Sequence, residues 1–207
     1  MAPPVDATAV NFYSKKDFGG DKYPYTIGDD IEVPTDLIDQ FLSVNVGTAA
    51  KVIAWQHYNS TGIYKEWTGE NPDITGIGGL SRFKVVENDT RAISFIFKDT
   101  TGGAEKQYSL KVKAADVGEI LIYSNDGDAY HLVGIMPSGG PPVTTAIYVR
   151  DEKSGVYIAT GSVFFQWNSG SGEVDIVESD NWPPQLEWER SGHSSFIVTL
   201  VNNKPSE

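Results

Sequence analysis

Asn11-Phe12-Tyr13-Ser14-Lys15-Lys16-Asp17-Phe18-Gly19-Gly20-Asp21 decides how the first half of the chain folds. Within it an aromatic, Tyr13, is followed after four residues by a second, Phe18, and after one more by Gly20. A glycine at that last position implies backbone with positive φ, where a Cβ would clash. The two aromatics can then pack over a hairpin folded back on its own sheet. Residues 8–13 alternate enough to form a strand leading into the hairpin, and residues 23–28 return as a second strand, with Pro24 assigning it to an edge. Residues 34–41 read as a single helical turn with Pro34 and Thr35 near its start, and residues 42–46 as a short strand.

The pattern then begins again. Residues 51–58 read as a strand, 59–62 as a turn and 63–67 as a strand; a glycine-rich loop containing Asn71-Pro72 leads to a closing strand over 80–86. Two similar passages therefore fill positions 8 to 87, an internal duplication of a four-strand unit. The second hairpin is aligned on Tyr58, Ile63 and Lys65, which leaves it without the second aromatic and without the glycine.

The aromatic-x4-aromatic-x-Gly spacing resembles the signature of a βγ-crystallin Greek key. In that family the loop before the fourth strand reads Asx-Asx-x-x-Ser/Thr-Ser, followed by an apolar-basic-apolar strand. The segments that align are Ile38-Asp39-Gln40-Phe41-Leu42-Ser43 before Val44-Asn45-Val46, and Ile77-Gly78-Gly79-Leu80-Ser81-Arg82 before Phe83-Lys84-Val85. One serine stands in each, at different slots. The resemblance implies an all-β chain that begins, after an N-terminal tail over residues 1–7, with a βγ-crystallin-like double Greek-key sandwich over residues 8–88. Tyr13, Phe18, Gly20, Ser43 and Ser81 are its folding motif, with the two serines pinning the hairpins.

Glu87-Asn88-Asp89-Thr90 is polar and falls where the duplication ends, so residues 89–203 are assigned to a second domain. Ile93, Phe95 and Phe97 share one strand face, as do Tyr108, Leu110 and Val112. Further strands are expected at 119–124, 129–135, 143–150, 155–160, 162–167, 173–177, 185–189 and 195–201, with turns at Asn125-Asp126-Gly127-Asp128 and Glu152-Lys153-Ser154-Gly155. Such a series suggests a second antiparallel β-sandwich of immunoglobulin-like size, its topology open. Both halves together look similar to the abundant perithecial proteins of filamentous fungi. That resemblance implies a soluble bulk protein of fruiting bodies, with a structural, refractive or storage role rather than turnover of a substrate.

Composition narrows the field. The 207 residues contain no Cys, so disulfides and thiolate-ligated zinc are excluded. The net charge is −12, divided as −5 over residues 1–88 and −7 over 89–207, so it is dispersed rather than gathered in a tail. Such a field repels phosphate backbones and anionic lipids and favours solubility, so neither nucleic acid nor a membrane is expected as partner; self-association is left open. The first residues lack a basic segment followed by an apolar one, no apolar run approaches membrane-spanning length, and a cytoplasmic protein is expected. Asn59-Ser60-Thr61 and Asn88-Asp89-Thr90 match the glycosylation pattern and are read as chance.

Calcium is the first chemistry to weigh, because the resemblance implies it. In the family the fifth slot of the serine segment supplies a hydroxyl, and hairpin carbonyls of the partner motif complete the shell. Here that slot holds Leu42 in one segment and Ser81 in the other, where Ile77 and Gly78 replace both Asx residues; Asp39 is the one acidic position that still matches. Asp39 and Ser81 are thus degenerate calcium candidates, and the expectation is no cofactor. Asp126-Gly127-Asp128 is a turn, since the twelve-residue loop it would open does not end on Glu. His57, His131 and His193 have no metal-ligand spacing, and no G-x-S-x-G elbow occurs. Glu187 and Glu189 flank Trp188 on a strand and fall on its solvated side. No enzyme is expected. Carbohydrate binding competes as a reading, with Trp67, Trp167, Trp182 and Tyr130 in or beside loops and strand ends where they could stack on sugars.

Overall fold

In the computed structural model, residues 1–115, 117–136, 141–168, 170–178 and 181–204 are described, and they form two compact all-β units, Met1–Thr90 and Arg91–Glu207.

The first unit contains β1 (Ala9–Tyr13), β2 (Lys22–Thr26), β3 (Asp30–Glu32), β4 (Ser43–Val46), β5 (Ala50–Trp55), β6 (Tyr64–Trp67), β7 (Glu70–Asn71) and β8 (Arg82–Glu87). They make two four-stranded sheets, ordered β2-β1-β4-β7 and β3-β8-β5-β6. Each four-strand unit thus gives its third strand to the other unit's sheet, so the two cannot separate without breaking both. That exchange is the double Greek key. Pro24 lies on β2, an edge strand, where its missing N–H costs no ladder bond.

The core between the sheets is aromatic. Phe12 stacks on Phe41 at 4.9 Å between centroids, and Phe83 and Trp67 close on it at 4.8 and 6.3 Å. Lys51 is buried on β5 and is neutralised there, its Nζ 3.0 Å from Glu66 Oε2 and donating to Thr90 O at 3.0 Å. Residues 1–7 are tied to this unit: Asn45 Nδ2 donates to Pro3 O at 2.8 Å, and Ala2 is buried. The single helical turn expected over residues 34–41 is absent. Two successive turns, Leu37 N–H to Pro34 O and Gln40 N–H to Leu37 O, carry the chain there instead. Leu37, Ile38 and Phe41 pack on the core from these turns, so Pro34 and Thr35 open a turn rather than a helix.

The second unit holds β9 (Thr90–Asp99), β10 (Tyr108–Ala114), β11 (Gly118–Tyr123), β12 (Tyr130–Ile135), β13 (Val143–Asp151), β14 (Tyr157–Asn168), β15 (Glu173–Glu178), β16 (Leu186–Gly192) and β17 (Ser195–Leu200). A five-stranded sheet, β11-β10-β13-β14-β15, faces a four-stranded one, β12-β9-β17-β16, over a core that includes Phe95, Phe165 and Phe196. The five-stranded sheet pairs antiparallel throughout, as do β16 and β17, whereas β17 and β9 run parallel from Ser195↔Ser94 to Leu200↔Asp99.

Two strands expected at 155–160 and 162–167 are one, β14. Gly161 between them is not a turn: a Cβ there would lie 2.2 Å from Asn181 O, so glycine is required by close approach of another segment.

Candidate functional site

The first hairpin leaves β1 and folds back on itself. Ser14 N–H donates to Asp21 O at 3.0 Å and Lys15 N–H to Gly19 O at 3.1 Å. Asp17 and Phe18 both adopt positive φ, +56° and +61°, and Gly20 follows at +77°. Two adjacent left-handed non-glycine residues are strained, and the strain is held by specific bonds. Ser43 Oγ accepts from Phe18 N–H at 3.0 Å and donates to Lys15 O at 2.7 Å, locking the hairpin onto β4. Tyr13 and Phe18 meet edge to face, 5.9 Å between centroids.

The second hairpin repeats these bonds, but not where the sequence reading placed it. Gln56 N–H donates to Ile63 O at 3.0 Å and His57 N–H to Thr61 O at 3.1 Å, the same pattern moved from Tyr13 to Trp55. Ser60 at φ +62° takes the place of Phe18, and Gly62 at +78° the place of Gly20. The alignment on Tyr58, Ile63 and Lys65 is therefore corrected to Trp55, Ser60 and Gly62. The glycine is present after all, and only the second aromatic is missing. The seven-residue step from aromatic to glycine, shared by Tyr13–Gly20 and Trp55–Gly62, is the signal that would have found it.

Register fixes the serine slots. Tyr13 pairs with Ser43 and Trp55 with Arg82, while Leu42 N–H donates to Tyr13 O and Ser81 N–H to Trp55 O. Leu42 and Ser81 are equivalents, and Arg82 stands where Ser43 does. The pinning role expected of Ser81 thus belongs to Arg82, whose Nη1 reaches Tyr58 O at 3.4 Å. Arg82 also forms a bidentate pair with Asp30, its Nε donating to Oδ1 at 3.1 Å and its Nη2 to Oδ2 at 3.0 Å. Burial alone would raise the Asp30 carboxyl; Arg82 and Lys84 more than offset that and hold it below the usual carboxylate range.

Each loop before a serine segment reaches toward a hairpin. Asp17 N–H donates to Pro72 O at 2.9 Å, and the Lys16 ammonium sits on the Asp73 carboxylate. Asp73 also accepts from Thr75 N–H at 3.0 Å and Thr75 Oγ1 at 2.6 Å. The bond from Lys16, then those from Thr75, hold its carboxyl well below the ordinary range. Asp39 is exposed on the other loop, with Oδ1 3.6 Å from where a Cβ on Gly79 would lie.

Calcium needs several converging oxygens. Tested on these residues, the junction at Asp73 has its charge matched internally by Lys16. The loop carrying Asp39 has Leu42 where a hydroxyl would be needed. Among the described residues no group of three or more His, Asp or Glu side chains converges on a metal-sized space. The set fits a weak site better than a preformed one.

The sugar-stacking candidates separate. Trp67 is in the first core. Trp167 packs against the second core with the Arg91 guanidinium 4.8 Å above its ring. Tyr130 donates its hydroxyl to Asp126 Oδ2 at 2.7 Å; burial, then Asp126, raises its pKa. Trp182, half-buried with Nε1 donating to Leu186 O at 2.8 Å, lines an open groove. Glu187 and Glu189 lie exposed on β16 beside half-buried Trp188.

Residues 6–87 match the family model described as Beta/Gamma crystallin, and residues 93–201 the one described as Membrane binding. The structure of Abundant Perithecial Protein from Neurospora crassa is 66% identical, with a TM-score of 0.74 over 99% of this chain and 100% of that one. The βγ-crystallin domain of the same protein in its Ca2+-bound form is 58% identical over 43% of this chain and 99% of its own, with a TM-score of 0.42. Calcium-dependent cell adhesion molecule 1 of Dictyostelium discoideum is 25% identical over 97% of this chain and 99% of its own length.

Proposed function

This chain belongs to the family of the abundant perithecial proteins, and on that premise we propose that it is a non-enzymatic bulk protein of crystallin type that takes up calcium weakly. Dispersed negative charge, absence of Cys and only two Met suit a protein held dissolved at high concentration for long periods. A refractive or storage role is the use such a solution would serve.

One contact carries the calcium part of this reading, Lys16 on Asp73. A calcium ion entering that junction must displace an ammonium already neutralising the carboxylate, so binding is an exchange of cations with little net gain. The Dictyostelium relative, named for calcium dependence, supports a calcium response in this chain. Asp73 would hold the ion where the loop meets the first hairpin.

Two measurements test the proposal. The osmotic second virial coefficient should stay positive to high protein concentration, and aggregation at modest concentration would overturn the bulk role. Calorimetry should give a calcium dissociation constant of about 10⁻⁴–10⁻³ M, as in weak extracellular modules, tightening in Lys16→Gln. Micromolar affinity in the wild-type chain, or no tightening in the variant, would sink the exchange.

The family description matched by residues 93–201 favours a second reading, association of that domain with a membrane surface. A net charge of −12 opposes anionic lipid. Co-sedimentation with phosphatidylcholine and phosphatidylserine vesicles, with and without calcium, separates the two readings.

A further inference from the structure

The five-stranded sheet of the second unit turns one face to the core and the other to solvent. Register places Leu121, Lys111, Tyr148 and Thr160 in one row across β11, β10, β13 and β14 of the outer face. Tyr157 joins them through an irregularity. Val149 pairs with Ala159 and Arg150 with Tyr157, so Ile158 is an extra residue in β14. Ile158 and Ala159 are both buried, and the bulge turns Tyr157 outward, where it is 57% exposed. Its ring meets that of Tyr148 edge on, 6.3 Å between centroids.

Two grooves open on this face and share Tyr148 and Thr160. One, of about 450 Å³, is flanked by Lys111, Lys113 and Tyr157; the other, of about 580 Å³, is walled by Trp182 and Pro183. Trp182 is held in place by its bond to Leu186 O. The trough therefore carries three aromatic rings, with hydroxyl and amide groups of Thr160, Ser162 and Asn181 between them.

Charge adds the second half. Lys111 and Lys113 project from alternate positions of β10 toward a single carboxylate, Glu119, at 3.2 and 3.9 Å. Glu119 can balance one of the two ammonium groups. Among the described residues the trough thus has a local positive excess, in a chain whose net charge is −12. The composition selects the ligand. Aromatic faces interrupted by hydroxyls suit the alternating apolar faces and hydroxyl edges of sugar rings, and the ammonium pair suits an anionic substituent.

We propose that this outer face binds an anionic oligosaccharide, carboxylated or sulfated. The sugar rings lie along Tyr157, Tyr148 and Trp182, and the anionic group meets Lys111 and Lys113.

The test is calorimetry on the full chain with chelator present, so that the first unit's calcium chemistry does not intrude. Tetragalacturonate and a chondroitin sulfate tetrasaccharide are the acidic probes, which distinguish carboxylate from sulfate. Maltotetraose is the neutral control and hexaglutamate the charge control. At least one acidic sugar should bind, about tenfold more tightly than maltotetraose, and more weakly as salt rises. Tyr157→Ala, on an exposed side chain, should weaken it about tenfold with the melting temperature unchanged. Lys111→Met with Lys113→Met should reduce the acidic sugar to the level of the neutral one. Binding of neither acidic probe, retention of full affinity in Tyr157→Ala, or equal binding of hexaglutamate would each overturn the proposal.

Discussion

At Gly20 an added Cβ would lie 2.3 Å from Ser14 Oγ and 3.4 Å from Lys15 N, on backbone held at φ +77°. Ser14 Oγ cannot yield freely, because it accepts from Asp21 N–H at 2.8 Å at the mouth of the hairpin. At Gly62 the nearest atoms are those of the His57 ring, 2.6 and 2.8 Å away on an exposed side chain that can swing aside, while Gln56 Oε1, which accepts from Ile63 N–H, lies farther off at 3.0 Å. Gly20→Val should therefore cost about 1–2 kcal/mol for the left-handed backbone and about 1–3 kcal/mol more for the clash. Gly62→Ala should cost only the backbone part, about 1–2 kcal/mol. Denaturant melts following the first unit compare them, and equal losses would show that Ser14 yields as easily as His57. The contrast also explains what was legible. Tyr13, Phe18 and Gly20 announce themselves by type and spacing, whereas Ser60 occupies an aromatic slot and gives no signal. Arg82 in a serine slot is likewise invisible until register pairs it with Trp55.

The strands that were missed, β3 and β7, are three and two residues long and carry no apolar alternation. Their pairing is decided by partners on the other half of the duplication. Asp30 lies opposite Lys84, and Glu32 opposite Arg82, so β3 is fastened to β8 by cross-strand charge pairs. The Asp30 carboxyl is lowered in the folded state, so on acidification the unfolded chain takes up its proton first. The stability it contributes is full above the unfolded value near 3.9 and falls as pH drops through the lower folded value. Its side chain is 40% exposed, which screens the pair and limits the contribution to less than about 1 kcal/mol. Asp30→Asn should lower stability by that amount at neutral pH, and the difference from wild type should vanish as pH falls below the usual carboxylate range. A difference that stays constant down to pH 2 would assign the loss to packing. By contrast β9 and β10, with their apolar residues on alternate positions, were legible from sequence because half-buried strands of that length must alternate.

On the scale of the whole molecule, composition disclosed what is averaged over the surface and concealed what is local. A net charge of −12 predicts solubility, yet the Lys111–Lys113 trough lies inside that acidic field and could be read only from register. The parallel contact of β17 with β9 was hidden for a similar reason, since strand patterns carry no partner. It has a consequence for biosynthesis. Thr100 Oγ1 donates to Leu200 O across 100 residues of chain, and β17 lies between β9 and β16 in its sheet. The second unit cannot complete that sheet until β17 has emerged from the ribosome, whereas the first unit can close as soon as residue 90 emerges. A chain stopped at residue 194 should carry a folded first unit and an open, aggregation-prone β9 edge, seen as pelleting greater than that of the chain carrying residues 195–200. The β9 edge therefore stays open while about a hundred further residues are made, and the arrival of residues 195–200 decides whether the second unit closes over that edge or leaves it to pair with another chain.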